Sequence, residues 1–334
     1  MSAKMQKNSS SIILTSRIRL ARNINGFPFP EWASSEDQVQ VKSIVKKAIQ
    51  KIESSFVYKD LSRAKELTKN LLVEQNILSS HFIKDHVKAK AFAFNTKGIS
   101  IMINEEDHLR LAIQLQGLKL EEAWPVLDEL DTALSEKIEY AFSQGQGFAT
   151  ACPSNVGTGM RVSVMVHLPA LCLEGKIGPI ISAMNESHIT VRGLFGEGSM
   201  ALGHTFQISN LNTLGISEEE TIFYLQKVAK SLEKREKLAR KNIFSKQKMI
   251  LKDKVSRAIG ILKYAYFLSY EEALDHLSII ILAQSLGLEK ELKRLKNLAD
   301  LSTQLRDGHL RRQKGTRRSI STESLRADRV RELI

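Results

Sequence analysis

Cysteine is nearly absent from this chain: Cys152 and Cys172 are the only two among 334 residues. Two thiols cannot build the disulfide framework of a small secreted domain, and they fit a reducing cytosol. Aromatic residues amount to 6%, and there are 6 prolines and 18 glycines, which is neither a collagen-like nor a disordered composition. Long apolar runs are missing too. The longest, "IIILA" from Ile279, falls far short of the roughly 20 residues that span a bilayer. The apolar stretch Ile12 to Leu14 gives way at once to arginines, so no secretory signal is seen. There is no Walker pattern and no nucleotide-binding GxGxxG, which argues against a P-loop enzyme.

What is present is enough apolar material, 43% of residues, for one large domain and a smaller one. The net charge of +12 is unevenly spread. Residues 1–225 are close to neutral. Residues 226–254 hold 11 Lys/Arg against 3 Asp/Glu, and residues 306–334 hold 9 against 4. Such segments serve as solvated helix faces or as surfaces for acidic partners. They lack interleaved aromatics, which makes nucleic acid a poor fit.

Residues 1–11 are polar and expected to be loose. "IILTSRIRLAR" then alternates Arg17 and Arg19 with Ile18 and Leu20, as a strand with one apolar and one cationic face. "SSEDQVQVKSIVKKAIQKI" reads as a helix with Val41, Ile44, Val45, Ala48, Ile49 and Ile52 on one stripe, capped by Ser35 with Gln38. "AFAFNTKGISIMI" reads as a hairpin turning at Asn95 to Gly98. A helix is expected over 120–142. "GFATACP" and "MRVSVMVHL" are expected strands, "ITVRGLFGEG" a strand entering a glycine loop, "TFQISNL" a short strand. A long charged helix starts at Ser217 and runs to about Lys241, and only helical patterns follow. The organisation is α+β: residues 12–242 form one domain, and 243–334 a smaller all-helical one.

The arginines of the first two-thirds recur in similar settings. Arg161 opens "RVSVMV" and shares a face with Ser163, Met165 and His167, as Arg17 does with Arg19. Arg110 ends "NEEDHLR", and Arg192 opens "RGLFGEG". Grouped guanidinium groups repel one another unless an anion lies among them, and a polyphosphate is a natural guest for their planar forks. Among the acids, Glu105, Glu106 and Asp107 sit together in a turn, and Glu197 lies between Gly196 and Gly198. Cys152 precedes Arg161 across a glycine-rich loop. Cys172 reads as a small buried hydrophobe.

"TSRIR", "NEEDHLR", "CPSNVGTGMR" and "RGLFGE", in that order over residues 12–240, resemble the motifs of the guanidino (phosphagen) kinases. Within that family the chain is similar to the bacterial protein arginine kinases. Only fourteen residues precede Thr15, where free-arginine and creatine kinases carry a helical domain, and the helical extension lies at the C-terminus instead. The resemblance implies a largely antiparallel sheet flanked by helices. It implies that Thr15, Ser16, Arg17, Ile18, Arg19, Arg110, Arg161, Val162, Ser163, Val164, Met165, Arg192, Gly193, Leu194, Phe195, Gly196 and Glu197 hold ATP. Mg²⁺ would be held mainly by phosphates and water, with no protein ligand cage. Glu106 and Glu197 would grip the substrate guanidinium, Glu106 as proton acceptor, with Cys152 beside it. It further implies a cytoplasmic enzyme that phosphorylates exposed arginines of proteins in a stress response. It would form a homodimer through the helical domain and work with an activator protein and an ATP-driven protease, with no membrane attachment.

Two positions depart from the family pattern. Where members carry a histidine that contacts ATP, this chain has Asn76. The RDxxRA motif of a phosphoarginine pocket aligns with "TESLRA", giving Glu323, Arg326 and Ala327, or with "RDGHLR", giving Arg306, Asp307 and Arg311. The readings left open beside the leading one are a kinase of free arginine or another small guanidino compound, and a catalytically weak adaptor that binds phosphoarginine.

Overall fold

The computed structural model describes residues 12–84, 87, 89–193, 201–289, 293, 295, 297–314 and 320–334. Two sequence expectations, the loose segment 1–11 and the glycine loop with Leu194, Phe195, Gly196 and Glu197, lie outside these residues.

The strands are β1 (Ile13–Arg22), β2 (Val57–Asp60), β3 (Ala91–Phe94), β4 (Ile99–Ile103), β5 (Leu109–Gln116), the short pair β6 (Phe142–Ser143) and β7 (Gly147–Phe148), then β8 (Met160–His167), β9 (Ile189–Gly193) and β10 (Thr205–Asn210). Eight of them form a sheet in the order β2-β3-β4-β5-β1-β8-β10-β9. The pairs β2–β3, β3–β4 and β4–β5 are antiparallel. The helices are α1 (Ser35–Ile52), α2 (Glu66–Glu74), α3 (Ser80–Lys84), α4 (Leu120–Ser135), α5 (Pro169–Leu173), α6 (Ile177–Glu186), α7 (Glu218–Lys246), α8 (Lys248–Tyr264), α9 (Tyr270–Ser285), α10 (Leu298–Gln304), α11 (Asp307–Lys314) and α12 (Thr322–Leu333). The expected class is found: a large antiparallel sheet flanked by helices, followed by a helical region.

Internal contacts divide the chain into two compact units. One comprises residues 16–163 and 209–226; the other comprises 1–15, 164–208 and 227–334. In the first unit the hairpin of β3 and β4 turns at Asn95 to Gly98 as the sequence suggested. The Asn95 side chain accepts from the Lys97 and Ile99 N–H groups. Gly98 has φ +85°, and a Cβ there would lie 2.6 Å from the Gln114 carbonyl oxygen, so only glycine fits. Phe82, Phe92 and Met102 pack with Leu61, Leu72 and Leu78 into one apolar cluster.

Three sequence expectations are corrected in this unit. The cap of α1 is Ser34, not Ser35, and its partner is Asp37, whose carboxylate receives the Ser34 N–H. The Gln38 amide instead donates to the Pro30 and Ala33 carbonyls. Helix α4 stops at Ser135 rather than 142. Tyr140 and Ala141 pair with the chain after β1 through an Ile24–Tyr140 bridge and the Ala141 N–H on Asn23; this backbone pairing wins over helix propensity. "GFATACP" yields only the two-residue strand β7, followed by a 3₁₀ turn at Pro153–Asn155.

Arg22 ends β1 with its side chain buried. It donates to Asp131 on α4 at 2.7 Å and lies 3.5 Å over the centre of the Phe148 ring. A buried pair offers little net stability while intact, but breaking it strands a charge. Asp131→Ala is therefore expected to lower unfolding stability by about 3–5 kcal/mol, read as a shift of the urea midpoint. The double change Arg22→Met with Asp131→Leu should recover most of the loss.

In the second unit α8, α9 and α12 pack on one another. Leu274, Leu277 and Ile281 are buried in this core. Helix α7 runs on to Lys246, beyond the expected end near Lys241. Glu236 on α7 accepts the Ala170 and Leu171 N–H groups at the start of α5 and pairs with Arg240. Cys172, expected to be buried, is half-buried; burial, then the Glu236 charge, pushes its thiol up to about 12, so it stays protonated.

A buried Ser278 joins two histidines: its hydroxyl lies 2.7 Å from His167 Nε2 and 2.8 Å from His204 Nδ1. His167 Nδ1 is buried without a hydrogen-bond partner. The least costly arrangement puts the His167 proton on Nε2, so that Ser278 accepts from His167 and donates to His204. Burial holds both imidazoles below their ordinary range, His167 the further, helped by the Arg240 charge. The unfolded chain then takes up protons below about pH 6.5 that the folded chain refuses, so stability falls as pH falls through that point. Thermal midpoints are expected to drop from pH 7.5 to pH 5.5, with a shallower slope in His167→Gln.

Candidate active site

The site in the first unit starts from β1. Ser16, Ile18 and Leu20 point into the core, while Arg17 and Arg19 are half-buried on the other face. The Ser16 hydroxyl donates to the Gly117 carbonyl and accepts the Lys119 N–H, so it fixes the segment after β5. Arg17 Nη2 donates to the Asn76 carbonyl at 3.1 Å. Asn76 has φ +59°, a left-handed conformation that asparagine tolerates. Together with Arg17 it lines a cavity of about 140 Å³.

On β8, Arg161 is half-buried and its Nη2 reaches Ser209 Oγ at 3.3 Å, while Val162, Ser163 and Val164 are buried. Met165 is half-buried further along β8, and Arg192 and Gly193 are half-buried at the end of β9.

Arg17, Arg19, Arg110 and Arg161 are close enough to perturb one another. Burial, then the charge of Arg110, lowers Arg17 to about 10. Burial, then Arg110, Arg17 and Arg161, drives Arg19 well below its ordinary value. The Nε atoms of Arg17 and Arg19 are buried with no hydrogen-bond partner, and Arg19 has no ion pair with any described residue. Glu105 offsets part of this charge at Arg17 and Arg19; it pairs with Arg110, on which Glu106 and Asp107 also act, and accepts from Ser79 Oγ. Burial disfavours its carboxylate, but the Arg110 charge and these bonds outweigh it and hold Glu105 below the ordinary range. Four guanidinium groups, with the buried Nε donors of Arg17 and Arg19 unsatisfied, fit a polyanion.

The acidic turn is held at each corner. Asn104 has φ +59° and is fully buried; its amide donates to the Gln38 and Ala89 carbonyls. Asp107 Oδ1 accepts from Asn23 Nδ2 and from the Ala151 N–H, each at 2.7 Å. His108 Nδ1 accepts the Ile24 N–H, so Nε2 carries the proton and donates to the Pro28 carbonyl. Glu105 and Asp107 are both committed, whereas Glu106, half-buried between them, has no hydrogen bond or ion pair with any described residue.

Cys152 is half-buried, with its Sγ 3.0 Å from Ser154 Oγ. The loop from Cys152 to Arg161 needs its glycines: a Cβ on Gly157 would come within 2.2 Å of the Thr213 carbonyl oxygen. The structure therefore gathers Arg17, Arg19, Arg110, Arg161 and the acidic turn in one unit. Sequence reasoning missed Ser79, Asn23, Asn104 and Ser209, which hold them; short polar residues near buried acids carry no pattern of their own. In the helical region Arg326 is buried and donates to the Leu305 and Leu268 carbonyls and to Asp307 at 2.5 Å. The two alternative placements of the RDxxRA-like segment thus meet, Arg326 from one and Asp307 from the other. Ala327 is buried beside it, and Glu323 is exposed.

A cationic cluster on a sheet thus stands beside a turn whose Glu106 carboxylate has no hydrogen bond or ion pair with a described residue, a setting that suits a phosphorylated ligand. The sequence profile of the ATP:guanido phosphotransferase C-terminal catalytic domain matches residues 40–239, and the chain belongs to that family. More particularly, residues 248–334 match the C-terminal domain of the protein-arginine kinase McsB. The protein-arginine kinase of Pelotomaculum thermopropionicum is 43% identical over 270 residues, 79% of this chain and 76% of that relative. The protein-arginine kinase of Clostridium tetani is 39% identical over 298 residues, 89% of this chain and 88% of that relative. Among solved structures, lombricine kinase superposes with a TM-score of 0.61 at 26% identity, over 70% of each chain. The duplicated taurocyamine kinase of Schistosoma mansoni gives 0.61 at 28% identity, over 68% of this chain; the match spans about a third (33%) of that longer chain. No helix among the described residues is long and apolar enough to cross a membrane.

Proposed function

We propose that this chain is an ATP-dependent protein-arginine kinase, which transfers the γ-phosphoryl group of ATP to arginine guanidinium groups of proteins. The observation that carries this reading is the arginine cluster beside Glu106, a carboxylate with no hydrogen bond or ion pair among the described residues. Arg17, Arg19, Arg110 and Arg161 would hold the phosphates and spread the charge that develops on the transferring group. A guanidinium is a poor nucleophile because it is cationic at any physiological pH. Glu106 would orient it and accept its proton as the N–P bond forms and the bond from phosphorus to the ADP oxygen breaks. Glu197 would grip the same guanidinium, with Cys152 beside it. Magnesium, held by phosphate oxygens and water, would supply charge neutralisation on the phosphates.

The preference for proteins over free arginine rests on the curated relatives and on the C-terminal domain match. The same reading carries a cytoplasmic location, a homodimer formed through the helical region, an activator protein, and an ATP-driven protease that consumes the marked proteins. The test is to incubate the protein with MgATP and either an arginine-rich protein or free arginine, then look for acid-labile phosphate on arginine by mass spectrometry. Label on the protein is expected. Label on free arginine alone, or on neither, would overturn the proposal.

A further inference from the structure

The Asp107 carboxylate ties the acidic turn directly to the residue before Cys152. Its Oδ1 receives two hydrogen bonds of 2.7 Å, from Asn23 Nδ2 and from the Ala151 N–H, and Ala151 is the residue before Cys152. Asn23 is itself a junction. Its amide also donates to the Ala149 carbonyl at 3.0 Å, and its carbonyl accepts the His108 N–H at 2.9 Å. Asn23 follows β1, which carries Arg17 and Arg19, so three stretches of the site converge on one buried oxygen. Asp107 is 4% exposed and Asn23 is 2% exposed.

This segment has few other anchors. Thr150 Oγ1 caps the Cys152 carbonyl at 2.9 Å, which is a bond within the segment. Ala149 is tied by its N–H to the Ala141 carbonyl and by its own carbonyl to Asn23. Between Ala149 and the 3₁₀ turn at Pro153, the Ala151 N–H on Asp107 is the bond among the described residues that reaches outward from the backbone beside the thiol. An isolated buried carboxylate is expensive unless donors meet it. Here the donors that meet it are the groups whose placement the chemistry needs.

We infer that Asp107 is a positioning residue: by holding Asn23 and Ala151 on one oxygen, it sets the distance between the Glu106 turn and the Cys152 thiol. It touches neither substrate nor phosphate in this role and acts through the backbone. Two neighbouring acids thus divide the work, Glu106 facing the reacting guanidinium and Asp107 fixing where the thiol beside it stands. This inference rests on the proposed phosphotransfer for its kinetic consequence, though not for its structural one.

The experiment uses the full-length chain with Asp107→Ala and Asp107→Asn. Asparagine keeps an Oδ1 that can accept both bonds, while alanine keeps none. With an arginine-rich protein as substrate, Asp107→Ala is expected to lower kcat on the order of 10²-fold, the effect of misplacing a reacting group by about 1 Å, with KM for MgATP within about twofold of wild type. Asp107→Asn should restore most of the turnover. A reading independent of turnover is the rate at which iodoacetamide alkylates Cys152, followed by mass spectrometry with Cys172 as internal reference. That rate should change several-fold in Asp107→Ala, and Asp107→Asn should stay near wild type.

Wild-type turnover from Asp107→Ala with unchanged alkylation would overturn the inference. So would an Asp107→Asn variant as impaired as Asp107→Ala, which would mean that charge and not placement matters. If Asp107→Ala does not fold, Asp107→Asn decides alone: near-normal kcat and alkylation support the inference, loss of either overturns it. Were the wild-type chain to phosphorylate no arginine, the proposed function would fail, and the alkylation comparison would still judge the placement of Cys152.

Discussion

Glu106→Gln should leave a folded protein whose turnover on arginine-bearing substrates is lower by on the order of 10²–10³ or more. The argument starts from what its neighbours are doing. Glu105 is spent on Arg110 and Ser79, and Asp107 is spent on Asn23 and Ala151. Glu106 lies between them, half-buried and without a described partner. Glutamine keeps the size and one acceptor oxygen but cannot carry charge or take up a proton. No described hydrogen bond or ion pair is lost, and the lost attraction to Arg110 is set against relief of the repulsion with Asp107, so the thermal midpoint should barely move, in line with the roughly ±0.5 kcal/mol typical of substitutions away from packed networks. Glu105→Gln should behave in the opposite manner. It removes the carboxylate that pairs with Arg110 and accepts from Ser79, so the folded state itself should weaken. The measurement is single-turnover phosphorylation beside differential scanning calorimetry for both variants. An active Glu106→Gln enzyme would remove Glu106 from the chemistry.

The legible parts of this molecule were those with a period or a tight turn. Alternation of Arg17 and Arg19 with Ile18 and Leu20 gives β1 its two faces. "NTKG" marked its hairpin because Gly98 must hold a positive φ against the Gln114 carbonyl. The arginine cluster was legible as a set because its members recur at matching places on strands. What stayed hidden were supports drawn from distant chain segments. Nothing in the local sequence around Ser79 says that its hydroxyl will meet Glu105, 26 residues on. Nor does "RNIN" announce that Asn23 bridges to Asp107. The end of α4 was misjudged for a related reason: Tyr140 and Ala141 are claimed by the chain after β1, and such pairing is invisible to a helical pattern. The α1 cap moved by one residue because both Ser34 and Ser35 can cap, and only Asp37 is placed to return the bond.

Arg19→Met should raise the thermal midpoint of the nucleotide-free protein while abolishing its response to nucleotide. In the free chain Arg19 is a liability: its Nε is buried without a partner, and it faces the charges of Arg110, Arg17 and Arg161. Folding must drive a desolvated cation into a field of like sign, which is why its ionisation is depressed. Methionine fills similar space along the apolar part of the side chain and removes that penalty. A triphosphate reverses the balance, because it supplies the anion the cluster lacks. At nucleotide concentrations near 100 times Kd the wild-type protein gains about 2.7 kcal/mol, and its midpoint should rise accordingly. The Arg19→Met midpoint should start higher and stay flat, and its kcat should fall by on the order of 10²-fold or more through loss of a charge-stabilising donor. The two melting curves should therefore move toward each other as ATP is added. A lower midpoint for Arg19→Met without nucleotide would mean that Arg19 is held by favourable contacts of its own, and the cluster would then be a structural feature with no call for an anion.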